Sequence, residues 1–495
     1  MGETVIQEEK AKSNLATTTH STCYMCTTNC PITVVSEGPE ITSVVHPPCV
    51  RAEAMEEQRD SEHRLREPMI RGREGDPWRT VTWADAVSHT ASELLRIRDA
   101  HGPQSIAFMV GYTKEARPYL QRLAHAFGSP HYITESSCCF ASGSVGAKVT
   151  LGQEYGFFFN TSRFKQPETK CRLIWSNNPT DSLIPYASHH LLKEADSMPT
   201  IVVDPRRTRL AETASVHLML RPGTDGALAL GLAHVILREG LQDDEFLAQH
   251  AHGVEAYKDY VQEFTPERTS EITGIPAETI VEAALLYGRA KPAQITVSQE
   301  AIVQHGNGLQ NYRAVILLAA LCGYIDIAGG NVAWDSRLRE KNVSLHGELA
   351  GGLPTIMGGE EFPVFTSNYT EGQAMLLPDY IEQGKIKAVF SMGTNLMMWP
   401  NSNRFAEALS KLELFTACDF FANPTVDAAN VFLPAATSLE RQALIVAPIG
   451  KVQYRPAAPG LLLEGAFLFA LALPPPAAGG GDDDKAGGAN QTQMS

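Results

Sequence analysis

The sequence of 495 residues lacks the features that mark several large classes of protein. It has no run of 18 apolar residues, so no membrane span is predicted. It also has no lysine- and arginine-rich run, and its formal net charge of −15 argues against nucleic acid as a partner. No G-x-G-x-x-G motif follows a strand pattern, so a nicotinamide dinucleotide site is not predicted.

Targeting signals and a disulfide framework are missing as well. The first 22 residues contain neither an apolar stretch nor paired arginines, so the sequence predicts no signal peptide of the ordinary or twin-arginine kind. Nine cysteines, an odd number with uneven spacing, suit a reducing compartment. We therefore expect a cytoplasmic protein.

Four of the nine cysteines lie close together near the N-terminus, as Cys23-x2-Cys26-x3-Cys30 and then Cys49 after 18 residues. Four thiolates in this pattern suit a [4Fe–4S] cluster. Structural zinc also accepts four thiolates, but its ligands usually come as two short pairs. Arg51 follows two residues later and is expected to stabilise the reduced cluster and to hydrogen-bond a second cofactor, unless it is simply an exposed arginine.

The rest of the chain alternates short apolar runs with helical patterns, which predicts βαβ units and parallel sheets. The expected fold class is α/β, with a small N-terminal iron–sulfur module followed by two doubly wound α/β domains, one of them discontinuous. The predicted divisions are a disordered N-terminus 1–21, the cluster module 22–72, a discontinuous domain 73–132 with 333–455, a dinucleotide-binding-like domain 133–332 and a low-complexity tail 456–495.

Small, amide and charged residues follow several predicted strands of the second domain. In parallel sheets, ligands lie at the carboxyl ends of strands, where backbone N–H groups and helix N-termini face anions. A carboxylate at such an end suits a ribose or a guanine edge, and paired arginines suit phosphates. For Asp225, helix capping alone is the alternative. The expected cofactor-binding residues here are Asn177, Asn178, Pro179, Asp204, Arg206, Arg207, Thr224 and Asp225.

A second set of such positions occurs later in the chain. Gly393 and Asn395 follow one predicted strand, and Asp419 follows another. Two similar sets imply either two nucleotides or one very long cofactor. Adjacent Cys138 and Cys139, flanked by small residues, can present one sulfur into a cavity, although without further context a pair of small core residues is the favoured explanation.

Together these residues resemble the molybdopterin oxidoreductases of the dimethyl-sulfoxide-reductase type, from about residue 22 to 452. The cysteine quartet resembles the cluster motif of that family. Residues 81–86 resemble the Ser/Thr-Trp-Asp-x-Ala signature of the family, with Ala84 in place of its aspartate. Further matching motifs are Arg66–Pro68, Val81–Ala86, Asp204–Thr208, Pro222–Asp225, Gln304–Gly308 and Gly329–Asn331.

The resemblance implies a molybdenum or tungsten bis(molybdopterin guanine dinucleotide) cofactor beside the [4Fe–4S] cluster. By position, Cys139 resembles the catalytic metal ligand, with Cys138 as its competitor, and Arg51 resembles the residue that bridges cluster and pterin. The implied activity is two-electron chemistry on a small substrate, with electrons relayed through the cluster. The implied partners are that small molecule and an iron–sulfur electron-transfer subunit.

The sequence also departs from the family pattern. The segment between Cys30 and Cys49 is short, Phe140 replaces the histidine of formate dehydrogenases, and no C-terminal β-barrel is recognised after residue 456. One alternative is a non-redox hydratase resembling acetylene hydratase, but Thr27 stands where that enzyme has its acidic aspartate. Another is a truncated, non-catalytic cluster-binding protein.

Overall fold

The structure is a computed structural model that describes residues 16–26, 29–38, 40–113, 115–153, 168–182, 192–193, 195–332, 346–441, 443–446 and 452–455. The predicted tail 456–495, Thr27 and most of the predicted N-terminal disordered segment lie outside these ranges. No helix within them is both long enough and apolar enough to cross a bilayer.

The described residues form sixteen strands in four sheets. The strands are β1 Ala16–Thr22, β2 Pro31–Glu37, β3 Glu40–Val45, β4 Met69–Ile70, β5 Arg79–Thr80, β6 Ile106–Val110, β7 Tyr132–Thr134, β8 Cys171–Trp175, β9 Thr200–Val203, β10 Val216–Leu218, β11 Ala293–Val297, β12 Ala388–Met392, β13 Leu414–Asp419, β14 Val431–Pro434, β15 Ala443–Val446 and β16 Val452–Arg455.

Helices connect and cover these strands. Within the described ranges they are α1 Val50–Asp60, α2 Trp83–His101, α3 Arg117–Phe127, α4 Ala141–Leu151, α5 Pro179–Ser182, α6 Arg209–Thr213, α7 Asp225–Arg238, α8 Asp244–His250, α9 Val254–Val261, α10 Pro266–Thr273, α11 Ala277–Arg289, α12 Gln299–Val303, α13 Gly308–Leu321, α14 His346–Leu349, α15 Pro363–Asn368, α16 Leu377–Glu382, α17 Ser402–Leu409 and α18 Pro424–Asp427. Short 3-10 turns add Pro103–Ser105, Glu135–Cys138, Ala374–Leu376 and Leu396–Met398.

The N-terminal sheet is antiparallel, with β2 between β1 and β3. All of β1 pairs with β2, from Ala16 opposite Glu37 to Thr22 opposite Pro31. The prediction that residues 16–21 are disordered is therefore wrong. Threonine favours extended backbone, and pairing with β2 satisfies the backbone N–H and C=O groups of this polar, mostly exposed strand.

The second sheet is four-stranded and parallel, in the order β10-β9-β8-β11. Strands β8, β9 and β11 are buried along their whole length, as expected for a parallel sheet with both faces covered. Leu173 and Val203 point into a cluster shared with α7, α11 and α13, whereas Ile174 and Val202 point into a smaller cluster with α6. This sheet lies within the predicted segment 133–332.

The third sheet has seven strands in the order β5-β4-β14-β13-β12-β6-β7. Its five strands from β14 to β7 are parallel, and β4 and β5 form an antiparallel edge. Its strands come from two separate stretches, 69–134 and 388–434. The predicted α/β class is confirmed. Strand β4, from the predicted module 22–72, and strand β7, which spans the predicted boundary after residue 132, both belong to this sheet. The domain boundaries stay predictions.

Candidate cofactor site

Three of the clustered cysteines lie on the connection between β1 and β2, and the fourth precedes α1. The backbone N–H of Cys23 donates to the carbonyl of Cys30 at 2.8 Å, which closes this loop. Cys49 occupies the N-cap position of α1. Cys23 is buried, whereas Cys26, Cys30 and Cys49 are half-buried. Cys23, Cys30 and Cys49 all pack against the hydrophobic cluster under the small sheet.

The other three cysteines influence the titration of Cys23. The pKa of Cys23 is raised to about 11, first by burial and then by the charges of Cys26, Cys30 and Cys49, while the N–H of Met25 opposes the shift. Four thiolates in one place repel one another unless cations compensate their charge. The irons of a four-thiolate cluster provide that compensation, because thiolates are the form in which cysteine binds metal.

No three His, Cys, Asp or Glu side chains among the described residues are arranged to share one metal ion. A [4Fe–4S] cluster takes one thiolate at each iron, so its ligands surround it and stand further apart than the ligands of one zinc ion. The quartet therefore fits a cluster by its four thiols, which lie on one closed loop and at the start of α1. Arg51 lies in the first turn of α1, half-buried and two residues from Cys49.

A buried ion pair attaches this module to the seven-stranded sheet. Arg64 donates to both carboxylate oxygens of Glu440, at 2.8 and 2.5 Å, and also to the carbonyl of Ala435. Burial alone would raise the pKa of Glu440, but hydrogen bonds from Arg64 and Thr437 outweigh it and hold the pKa below its ordinary value. Leu439, the preceding residue, packs into the same cluster as Cys23.

The adjacent thiols Cys138 and Cys139 stand in different environments. The 3-10 turn that follows β7 ends at Cys138, whose Sγ donates to the carbonyl of Glu135 at 3.2 Å. The pKa of Cys138 is raised to about 11, mainly by burial and then by the charge of Glu135. The Cys138 thiol is thus engaged within its own turn. Cys139 is half-buried between the turn and Phe140, which precedes α4.

The carboxyl ends of the two large sheets meet at this segment. Strand β7 of the seven-stranded sheet leads directly into the turn that carries the two cysteines. From the four-stranded sheet, β11 leads into α12, and Gln304 at its end donates to the carbonyl of Cys138 at 3.0 Å. The backbone N–H of Ala374 donates to Ser137 Oγ at 2.9 Å. Cys139 thus lies between segments that follow the carboxyl ends of β7 and β11.

The predicted nucleotide-binding loops of the four-stranded sheet lie at its carboxyl edge. Asn177 is buried after β8, and Asn178 and Pro179 lead into α5. Asp204 is buried after β9, and its Oδ1 accepts from the backbone N–H of Arg206 at 2.8 Å. The side chains of Arg206 and Arg207 remain exposed beside it. Carboxylate and cations therefore lie at one strand end, as the sequence predicted.

Thr224 and Asp225, at the start of α7, make different hydrogen bonds. Thr224 occupies the N-cap position, but its hydroxyl donates to the carbonyl of Arg221 at 2.6 Å and makes no cap. Asp225 is buried and accepts from Trp175 Nε1 at 2.8 Å. Burial raises the pKa of Asp225, although the Trp175 hydrogen bond opposes this. The Asp225 carboxylate is thus engaged inside the protein, with Trp175 of β8.

At the carboxyl edge of the seven-stranded sheet, Gly393 follows β12 with a φ of 59°, a left-handed conformation that favours glycine. A Cβ added at Gly111, on the neighbouring strand end, would lie 2.0 Å from the carbonyl oxygen of Gly393. The side-chain oxygen of Asn395 accepts from Thr425 Oγ1 at 3.1 Å. The carboxylate of Asp419 accepts from Asn423 Nδ2 at 2.9 Å, and burial raises its pKa.

Two glutamates and an arginine lie around the cysteine turn and were not predicted from the sequence. Arg117 of α3 forms an ion pair with Glu135 and donates to Ser136 Oγ at 3.2 Å. Burial lowers the pKa of Arg117, but Glu135 and Glu371 outweigh it, and the net shift is upward. Glu371 in turn accepts from Thr134 Oγ1. These partners are far apart in the chain and share no motif, so no local signal identifies them.

A sequence model described as molybdopterin oxidoreductase matches residues 64–460 of the chain. The chain belongs to this family. Formate dehydrogenase H of Escherichia coli is 27% identical over 404 residues, covering 78% of this chain and 56% of that protein. The F420-dependent formate dehydrogenase subunit alpha of Methanocaldococcus jannaschii is 29% identical, covering 82% and 61%.

Acetylene hydratase is another molybdopterin oxidoreductase relative. The Syntrophotalea acetylenica protein is 25% identical and covers 86% of this chain and 64% of that protein. The solved acetylene hydratase of Pelobacter acetylenicus matches with a TM-score of 0.75 at 23% identity, covering 91% of this chain and 68% of that one, which shows the fold alone. The chain spans between half and two thirds of the length of these curated relatives.

Proposed function

We propose that this chain carries the cofactor site of a molybdenum- or tungsten-dependent oxidoreductase that transfers two electrons to or from a small substrate. A [4Fe–4S] cluster would relay the electrons. The observation that carries the proposal is the position of Cys139, between segments that follow β7 of one sheet and β11 of the other. The same chain also has four cysteines clustered near its N-terminus. Membership of the molybdopterin oxidoreductase family supports a pterin-bound metal.

The cysteine quartet would hold the cluster. Cys23, Cys26, Cys30 and Cys49 would each give up a proton and bind one iron. The irons would offset the cost of burying the Cys23 thiolate, which is the main cause of its raised pKa. Arg51, in the first turn of α1, would place a fixed positive charge beside the cluster and favour its reduced form. The Arg64–Glu440 pair keeps the module attached to the seven-stranded sheet.

Cys139 would be the protein ligand of the metal. When bound, the metal–pterin group supplies two-electron redox chemistry at an atom rich in sulfur ligands, which a soft thiolate suits. Cys138 is the less suitable ligand, because its Sγ already donates to the carbonyl of Glu135 within the turn. Gln304 fixes the backbone of this turn through the carbonyl of Cys138.

The loops at the two sheet edges would bind two guanine dinucleotides, one on each sheet. On the four-stranded sheet, Asp204 offers a carboxylate for a guanine edge or a ribose, and exposed Arg206 and Arg207 offer charge to phosphates. Asn177, Asn178, Pro179 and Thr224 belong to the same edge. On the seven-stranded sheet, Gly393, Asn395 and Asp419 form the corresponding edge. We further propose an iron–sulfur electron-transfer subunit as the protein partner.

Metal analysis of anaerobically purified protein tests the proposal. We expect about four irons, following the four-thiolate stoichiometry, and one molybdenum or tungsten per chain. Zinc without iron would contradict the cluster. Iron without molybdenum, tungsten or pterin would instead favour a non-catalytic cluster-binding protein.

Hydration of a small substrate is the second candidate, and the match to acetylene hydratase over 86% of this chain favours it. Against it, Thr27 cannot act as a proton donor where the hydratase has an aspartate. Turnover that consumes reduced or oxidised viologen dye identifies redox chemistry, because hydration consumes no electrons. Steady acetylene hydration without any dye-coupled turnover would replace the oxidoreductase proposal.

A further inference from the structure

Gln299 has a fully buried side chain whose amide makes no hydrogen bond to the described residues. It is the first residue of α12 and follows the carboxyl end of β11 after one residue. Its side chain is 0% exposed, and neither its Nε2 nor its Oε1 has a hydrogen-bond partner among the described residues. Burying a carboxamide without partners costs about 1–3 kcal/mol for each unsatisfied group, so a buried water or a bound group is the usual explanation.

The carboxamide lies against the helix that begins just after Cys139. A Cβ added to Gly143, in the first turn of α4, would lie 2.4 Å from Gln299 Oε1. Gly143 therefore leaves the space that the carboxamide fills. The hydroxyl of the next residue, Ser144, is also buried and also lacks a partner among the described residues. Unsatisfied donors and acceptors thus occur on the first turn of the helix that follows Cys139 and on the residue packed against it.

Helix α12 contacts this segment at both of its ends. Gln299 lies against Gly143 at its start, and Gln304 donates to the carbonyl of Cys138 at its end. The two glutamines therefore bracket the turn from residue 138 to 143. Gln304 is satisfied by the protein, whereas Gln299 is not. A pterin ring carries adjacent N–H and C=O groups, which match the acceptor and donor of one carboxamide.

We propose that Gln299 is a positioning residue whose carboxamide hydrogen-bonds the amide-like edge of a bound pterin and holds it beside Cys139. The inference rests on the proposed function, since it needs a pterin-bound metal in this chain. The Gln299 carboxamide would therefore lower the stability of the cofactor-free protein and stabilise the protein once the pterin is bound.

The test replaces Gln299 by methionine, which has similar length and no hydrogen-bonding amide. In the cofactor-free protein, Gln299→Met should raise the melting temperature, because it removes an unsatisfied polar group. In the loaded protein it should release pterin roughly threefold to tenfold faster, which corresponds to one lost neutral hydrogen bond. Release is followed by the fluorescence of oxidised pterin, with no measurement of activity.

Gln294→Met is the matched control. Gln294 lies on β11, five residues earlier, is also buried, and also has an unsatisfied Oε1, while its Nε2 donates to the carbonyl of Gly330 at 3.3 Å. This variant should release pterin at the wild-type rate. Gly143→Ala is the second test variant, because its methyl group displaces the Gln299 carboxamide and should also accelerate release.

Three results would overturn the inference. If Gln299→Met and Gly143→Ala both release pterin at the wild-type rate, the carboxamide binds only water, although the proposed function stands because the wild type is loaded. If Gln294→Met accelerates release as much as Gln299→Met, the effect belongs to the core in general. If the wild type carries neither metal nor pterin, the proposed function fails and the inference fails with it.

Discussion

Replacing Glu440 by glutamine should loosen the cysteine-bearing module from the seven-stranded sheet. The side chains of Arg64 and Glu440 are 2% and 3% exposed, and the glutamine would leave the Arg64 cation buried without its counter-charge. Breaking one partner of a buried pair costs about 3–5 kcal/mol. The local opening equilibrium around Cys23 should therefore rise roughly 140-fold to 3,700-fold, at 1.4 kcal/mol for each factor of ten.

Alkylation of Cys23 in the cluster-free protein measures this opening. Cys23 is 7% exposed, so it reacts only when the module opens, and mass spectrometry of its peptide gives the rate. The pKa of Glu440 is lowered, so its contribution is complete above an ordinary glutamate pKa of about 4.3 and is lost as the pH falls through the lower folded value. An assay at neutral pH thus detects the full effect.

Glu413→Gln is the control for this experiment. Glu413 pairs with Arg96 at 3.2 Å on the surface, where the two side chains are 33% and 49% exposed. Such a pair contributes about 0–1 kcal/mol, so Cys23 labelling should change by less than about fivefold. If the two variants label Cys23 at similar rates, the Arg64–Glu440 pair does not hold the module.

Three further outcomes are expected. Cys139→Ala should lower the number of sulfur ligands on the metal, as measured by X-ray absorption, whereas Cys138→Ala should not; the reverse would reassign the ligand. Asp225→Asn should stabilise the protein at neutral pH and not at pH 3, because burial raises the pKa of Asp225 and its ionised form costs stability as the pH rises. If thermal melts show the same change in melting temperature at both pH values, this reasoning is wrong. His125, whose pKa is lowered to about 4 by burial and by His346, should cost stability as the pH falls from 6.5 to 4, and His125→Gln should flatten that part of the melting profile.

Much of the site follows from local sequence. The cysteine spacing predicts a four-thiolate shell, and this ligand set stays a prediction. The alternation of buried runs with helical patterns predicts parallel strands, and therefore predicts that Asp204 and Asp419 lie at strand ends. Both residues are found there, after β9 and at the end of β13. These properties depend on residues close together in the chain.

Other features depend on contacts that no local pattern encodes. Arg64 meets Glu440 across 376 residues, and Gln304 meets the carbonyl of Cys138 across 166. The polar strand Ala16–Thr22 exists because β2 offers it a pairing edge, and Asp225 turns inward because Trp175 offers it a donor. Sequence fixes which side chains are available, but burial and partners are properties of packed sheets. Only the tertiary structure therefore decides which thiol is engaged by a backbone carbonyl and which buried polar groups remain unsatisfied.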